Sequence, residues 1–285
     1  MIDTCDLEAV VFGPSSNLLG VVTNPTKPLD ETVSSTGMGV IFVTAGMLTS
    51  CGPYRLHQRL ADKLAHQGVP SMRFDLSGIG ESLAVGGGGS SIDRAAAEIS
   101  EAVSELTTRT ACDNVILFGL CSGADDAVQA ALSDERIGGL VLMDGCGYPT
   151  RRFRRQRWLR HYGYRVLQPV VWRRQMRRWM GRTSDEVVSM PMGTDVREFP
   201  DRETAAAQFQ ELVDKGVRMH FIYTGGVAEY YNHADQFWDM FSDVDWRQCA
   251  TTTFFSKMDH VAMLAADRQE LESDVIHAIQ EMTSR

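Results

Sequence analysis

Residues 115 to 123 read Val115-Ile116-Leu117-Phe118-Gly119-Leu120-Cys121-Ser122-Gly123. The four apolar residues that open the stretch predict a strand covered on both faces. The remainder is a G-x-nucleophile-x-G pattern with cysteine at its centre. A nucleophile held on a sharp strand-to-helix turn needs residues without bulk two positions before and two after it, because the backbone folds back tightly there. The next segment, Ala124 to Leu132, is Ala-rich and helical in character. Strand, turn and helix therefore occur in the order the turn requires. A simpler possibility is a glycine-containing turn with a buried structural cysteine.

Working outward, the same alternation recurs. Leu7 to Phe12 and Leu18 to Thr23 flank Gly13-Pro14-Ser15-Ser16-Asn17 and predict a hairpin. Gly39 to Val43 is a continuous apolar strand. Leu56, Leu60, Ala61, Leu64 and Ala65 form one helical stripe with Gly68 just past its end. Val69 to Phe74 is the next strand, and Ser90 and Ser91 are placed to cap a helix reaching about Thr108. Leu140 to Met143 reads as a short strand. A helix at Thr204 to Lys215, a strand at Val217 to Thr224, a helical segment near Asp235 to Phe241, a strand at Thr251 to Phe255 and a terminal helix at Arg268 to Met282 follow. Strand alternating with helix predicts an α/β fold with a doubly wound, mostly parallel sheet. Residues 1-146 and 200-285 make its core, and 147-199 an inserted helical cap.

Composition narrows the class. A chain of 285 residues with 44% hydrophobic content can bury a full core. It holds no run of about 18 apolar residues, so no membrane span is expected. The N-terminus is acidic and lacks a basic-then-apolar leader. Six scattered cysteines without a C-x-x-C pair argue for reduced thiols in a cytoplasmic protein and against both a disulfide framework and a metal site. No cofactor is expected. The net charge of −9 is segregated: residues 151 to 182 hold twelve arginines and no acid, so the other 16 basic residues stand against all 37 acidic ones, a formal −21.

The chain closely resembles the α/β-hydrolase fold over almost its whole length. The resemblance rests on Thr44-Ala45-Gly46-Met47 after the third strand, the loop Asp75-Leu76-Ser77-Gly78-Ile79-Gly80-Glu81-Ser82 after the fourth, and the elbow Gly119 to Gly123. More narrowly, Gly52-Pro53-Tyr54-Arg55, Gly119-Leu120-Cys121-Ser122-Gly123-Ala124 and Gly226-Val227-Ala228-Glu229-Tyr230-Tyr231-Asn232 resemble a bacterial group with a cysteine elbow. That group includes hydrolases encoded beside exosortase and exopolysaccharide systems. The resemblance implies Cys121 as nucleophile, with Ser122 as the rival one position off the apex. His260, after the last strand, is the implied base, and His233 its rival. His57, His66 and His277 fall on helices and read as surface residues. The implied acid follows the seventh strand, where Glu229 is the first carboxylate, with Asp235 and Asp144 as rivals. Backbone N–H groups of Met47 and Ser122 would form the oxyanion hole. Asp125 and Asp126 either orient a substrate or favour the helix N-terminus.

The arginine-rich insertion lies where the fold carries a lid. Arg151, Arg152, Arg154, Arg155, Arg173 and Arg174 suit phosphate or carboxylate, and Trp158 and Trp172 suit an acyl pocket. An acidic acyl carrier protein, the phosphates of coenzyme A and anionic lipid headgroups are the candidate partners; a solvated face paired to acidic patches would need no partner at all. Nucleic acid is disfavoured by the acidic body. The expected activity is acyl hydrolysis or acyl transfer through an acyl-cysteine, on thioesters in the first instance. An esterase or lactone hydrolase, and a catalytically idle binding module, are the competing readings.

Overall fold

The computed structural model describes residues 6–25, 37–85, 90–166 and 200–284, of which 160–166 by backbone alone. Eight strands form a single sheet. They are β1 (Asp6–Phe12), β2 (Leu18–Asn24), β3 (Met38–Val43), β4 (Ser71–Phe74), β5 (Asn114–Leu120), β6 (Ile137–Met143), β7 (Arg218–Thr224) and β8 (Ala250–Phe255). The spatial order is β1-β2-β4-β3-β5-β6-β7-β8. The β1–β2 hairpin joins antiparallel to β4, and every other pairing is parallel. The helices are α1 (Leu56–His66), α2 (Ser91–Arg109), α3 (Ser122–Ser133), α4 (Arg151–Val166), α5 (Arg202–Asp214), α6 (Gln236–Met240) and α7 (Ala265–Thr283).

Successive residues of the central strands point to opposite faces, and both faces are covered. Ile41, Val43, Val115, Leu117, Leu140 and Leu142 pack under α2, α3 and α5. Val40, Phe42, Ile116, Phe118, Val141 and Ile222 pack under α1 and α7. The buried Glu272 carboxylate, held by Lys63 at 2.7 Å and Arg59 at 2.5 Å, joins α7 to α1. His57, expected at the surface, is buried on α1: its ring stacks on Phe42 at 5.4 Å, and burial pushes its pKa down to about 4. The helical stripe does not reveal that His57 sits beside its apolar face.

Two strand starts differ from expectation by two residues or more, for local reasons. β6 begins three residues early, because Ile137 already pairs with Val115 while Gly138 and Gly139 disguise the strand. β4 begins two residues late, since Pro70 has no N–H to give a ladder. The expected cap is described as far as α4. Trp172, Arg173 and Arg174 lie outside the described residues.

The parallel arrangement delivers the C-terminal ends of β3, β5, β6, β7 and β8 to one edge of the sheet, and the elbow stands there. Its glycines are required by space. A Cβ on Gly119 would lie 2.7 Å from Ala124 Cα, and one on Gly123 would lie 2.5 Å from the Thr44 carbonyl oxygen. Gly123→Ala is therefore expected to cost about 3 kcal/mol or prevent folding. Gly138→Ala, whose Cβ would find its nearest neighbour, Met38 Cε, at 3.4 Å, should change stability by less than about 1 kcal/mol. Chemical denaturation of the two variants checks the contrast.

Candidate active site

Cys121 closes β5 and precedes α3 with φ 55° and ψ −122°. A non-glycine residue in that region carries strain that the surroundings must hold in place. Its N–H is tied to the Met143 carbonyl at 2.8 Å, and its own carbonyl accepts from Ala124 N–H at 3.0 Å. The side chain is thereby lifted to the sheet edge at the N-terminus of α3, where it is half-buried.

His260 follows β8 and meets two partners. Its Nδ1 lies 2.7 Å from Asp144 Oδ2, and its ring also hydrogen-bonds to the Cys121 side chain. With Nδ1 engaged by Asp144, Nε2 is the nitrogen left for the thiol. The Asp144 bond first and the Cys121 bond second push the imidazole pKa up to about 10, against the opposing effect of burial. Imidazolium is thus the favoured form at neutral pH. Because the folded value lies above the ordinary 6.5, the stability that His260 contributes is complete below about pH 6.5 and is lost as pH rises through 10.

The carboxylate of this array is Asp144, which corrects the expectation of Glu229. Asp144 ends β6 with φ 50° and no side-chain exposure. Its Oδ1 accepts from Thr224 N–H at 2.7 Å, and its Oδ2 accepts from Thr224 Oγ1 at 2.7 Å besides facing His260. Glu229 is exposed. The chain after β7 turns away through Gly225–Val227, and Gly226 is so close that a Cβ there would lie 2.8 Å from His260 Cα. Asp235 and His233 are engaged elsewhere: Asp235 is exposed and pairs with Arg152 at 2.8 Å, and buried His233 bonds to Asn232 and Asp239. Sequence reasoning misses Thr224, which orients Asp144. Its only signal is a hydroxyl residue at the last position of an apolar strand.

Gly46 N–H donates to Ser122 Oγ at 2.9 Å, tying the loop after β3 to the first residue of α3. This occupies the Ser122 hydroxyl as an acceptor. Among the described residues, the N–H groups of Met47 and Ser122 have no backbone partner. A cavity of about 360 Å³ opens beside them, lined by Gly46, Ile79, Ile92, Ser122, Asp125 and Asp126 among others. Arg151, Arg152, Arg154, Arg155 and Trp158 all stand exposed on α4, itself positioned by the bond from Asn232 Nδ2 to the Phe153 carbonyl at 3.2 Å.

The chain matches the model of the serine aminopeptidase family, S33, over residues 37–242, and it belongs to that family. No curated protein matches it. Among solved structures it is similar to an esterase of Pyrococcus furiosus, with a TM-score of 0.58 at 13% identity over 98% of this chain and 92% of that one. An α/β serine hydrolase without a lid from Xanthomonas campestris gives 0.57 at 14% identity, covering 98% and 95%. A proline iminopeptidase of Mycobacterium smegmatis gives 0.55 at 14%, covering 98% and 99%. The fold is thus that of the α/β-hydrolases, and the chain is a hydrolase of that superfamily. Its elbow carries cysteine, whereas the family is named for serine.

Replacing Asp144 by Asn removes the largest influence on His260. The imidazole titration is expected to fall from about 10 toward 6.5 in Asp144→Asn and to stay in place in Glu229→Gln, as followed by NMR of the histidine side chains.

Proposed function

We propose that this protein is an acyl hydrolase or acyltransferase that works through a covalent acyl-Cys121 intermediate, with acyl thioesters as its preferred donors. The observation that carries the reading is His260, bonded on one side to a buried carboxylate and on the other to the Cys121 side chain. In this scheme Cys121 Sγ attacks the thioester carbonyl carbon as thiolate, and the carbonyl oxygen becomes an oxyanion facing the N–H groups of Met47 and Ser122. Collapse breaks the bond to the departing sulfur, which takes the proton of the His260 imidazolium. Water, or a second acceptor, then loses a proton to His260 and attacks the acyl-cysteine, releasing the acid or the transferred product and restoring the starting pair. Asp144 holds the ring through its bond to Nδ1 throughout. Thioesters suit this site because the attacking and leaving groups are both thiolates.

The carrier is read as anionic, coenzyme A or an acidic acyl carrier protein, received by Arg151, Arg152, Arg154 and Arg155 at the cap. The cytoplasmic reading rests on six scattered cysteines with no paired spacing in the sequence. The narrower kinship with cysteine-elbow hydrolases near exosortase systems rests on the stretches Gly52 to Arg55, Gly119 to Ala124 and Gly226 to Asn232. A second reading, an oxygen-ester hydrolase, is favoured by the similarity to the Pyrococcus furiosus esterase. A catalytically idle binding module is disfavoured by a strained elbow and a fully hydrogen-bonded acid behind the histidine.

Steady-state turnover of a thioester panel tests the assignment. Cys121→Ala is expected to lower kcat by at least about 10³-fold, and His260→Ala by a similar factor. Asp144→Asn should cost more than Glu229→Gln, which should be silent. Loss of activity in Ser122→Ala with retention in Cys121→Ala would move the nucleophile to Ser122 and overturn the reading.

A further inference from the structure

Among the described residues, large exposed hydrophobic side chains fall in two places. Leu7 and Val11 lie on the edge strand β1. All the others, including Met47, Leu83, Ile92, Trp158, Met263 and Leu264, belong to segments that follow the C-terminal ends of the parallel strands. Met47 closely follows β3, Leu83 lies in the loop after β4, and Met263 and Leu264 lie in the loop after β8 that carries His260, so these stand at the edge of the sheet that holds Cys121.

The loop after His260 shows that this exposure is built. The Asp259 carboxylate accepts from Val261 N–H at 3.0 Å and from Met263 N–H at 2.9 Å. Arg268 donates to the carbonyls of Ala262, at 3.0 Å, and Met263. Ala262 is held at φ 49°, a left-handed conformation that a residue with a Cβ adopts only when its surroundings impose it. The product of these constraints is a pair of side chains presented to solvent, Met263 at 56% exposure and Leu264 at 62%.

α4 supplies the second half of the surface. Arg151, Arg154, Arg155 and Arg157 are exposed and, among the described residues, form no ion pair, while Phe153 is buried and anchors the helix. Trp158 and Leu159 follow immediately and are about half exposed. Arginine interleaved with exposed tryptophan and leucine is the composition of a segment that lies in a lipid interface.

We propose that this edge docks the enzyme on an anionic lipid surface, with the α4 arginines among the headgroups and Trp158, Met263 and Leu264 inserted at the acyl boundary. An acidic carrier protein would account for the arginines and leave the apolar knuckle unexplained; a lipid surface accounts for both. Docking in this way turns the mouth of the Cys121 site toward the bilayer, so the acyl donor is an amphiphile drawn from it. The docking surface itself does not depend on which residue is the nucleophile.

Sedimentation of the full chain with vesicles of phosphatidylcholine, with and without phosphatidylglycerol, tests this. Binding is expected to the mixed vesicles only and to weaken at high salt. Arg154→Glu/Arg157→Glu should lower partitioning by roughly tenfold or more. Met263→Ser/Leu264→Ser should lower it by roughly fivefold or more. Both variants should keep the thermal unfolding temperature of the parent, and the serine pair should keep its turnover of a short-chain, monomeric thioester. Absence of binding to the mixed vesicles overturns the proposal, as does full retention of binding in the serine pair. Capture by an immobilised acidic acyl carrier protein without any vesicle binding would assign α4 to a protein carrier instead.

Discussion

The bond between His260 Nδ1 and the Asp144 carboxylate, 2.7 Å long, is the interaction around which the sheet edge is organised. A carboxylate with no exposure needs donors for its oxygens, and two come from one residue, Thr224, at the end of the neighbouring strand. That arrangement depends on the register of β6 and β7, which pairs Met143 with Ile222 and lets Asp144 N–H reach the Ile222 carbonyl at 2.8 Å. It also depends on Gly225 and Gly226, which leave room for the loop that carries His260. Once the imidazole is fixed by its Nδ1, its other nitrogen can face only what the elbow presents. The elbow in turn presents Cys121, because two glycines let α3 fold back against β5 and the loop after β3.

Much of this is legible in the sequence. Apolar runs bounded by glycine identify the parallel strands, and the spacing of Gly119, Cys121 and Gly123 identifies the elbow, because hydrophobic burial and Cβ sterics act on local residues. His260 is legible from its place after the last strand. The acid is not. Whether Asp144 or Glu229 meets the imidazole is decided by contacts between strand ends about 80 residues apart in the chain, where Thr224 holds the Asp144 carboxylate. His57 is deceptive for a related reason: it borders the apolar stripe of α1, and burial there is decided by Phe42 and Phe118 from two different strands.

Membership of a family named for serine, combined with a cysteine elbow, concentrates attention on the resting state. A serine hydroxyl needs a neutral imidazole to take its proton at the moment of attack. A thiol can give up its proton beforehand, and an imidazole shifted to about 10 by Asp144 and Cys121 is suited to hold it. In the proposed mechanism such a pair stores the proton for the leaving group. The same electrostatic arrangement suits the proposed exchange of nucleophile within an unchanged fold. Ser122, whose hydroxyl accepts from Gly46, serves the neighbouring loop.

The most direct test of the central claim is intact-protein mass spectrometry of the enzyme mixed with a panel of acyl thioesters, alongside Cys121→Ala. An acyl mass increment on the parent chain and none on the variant is the predicted result. An increment that survives in Cys121→Ala, or steady thiol release by that variant, would contradict a covalent acyl-Cys121 intermediate.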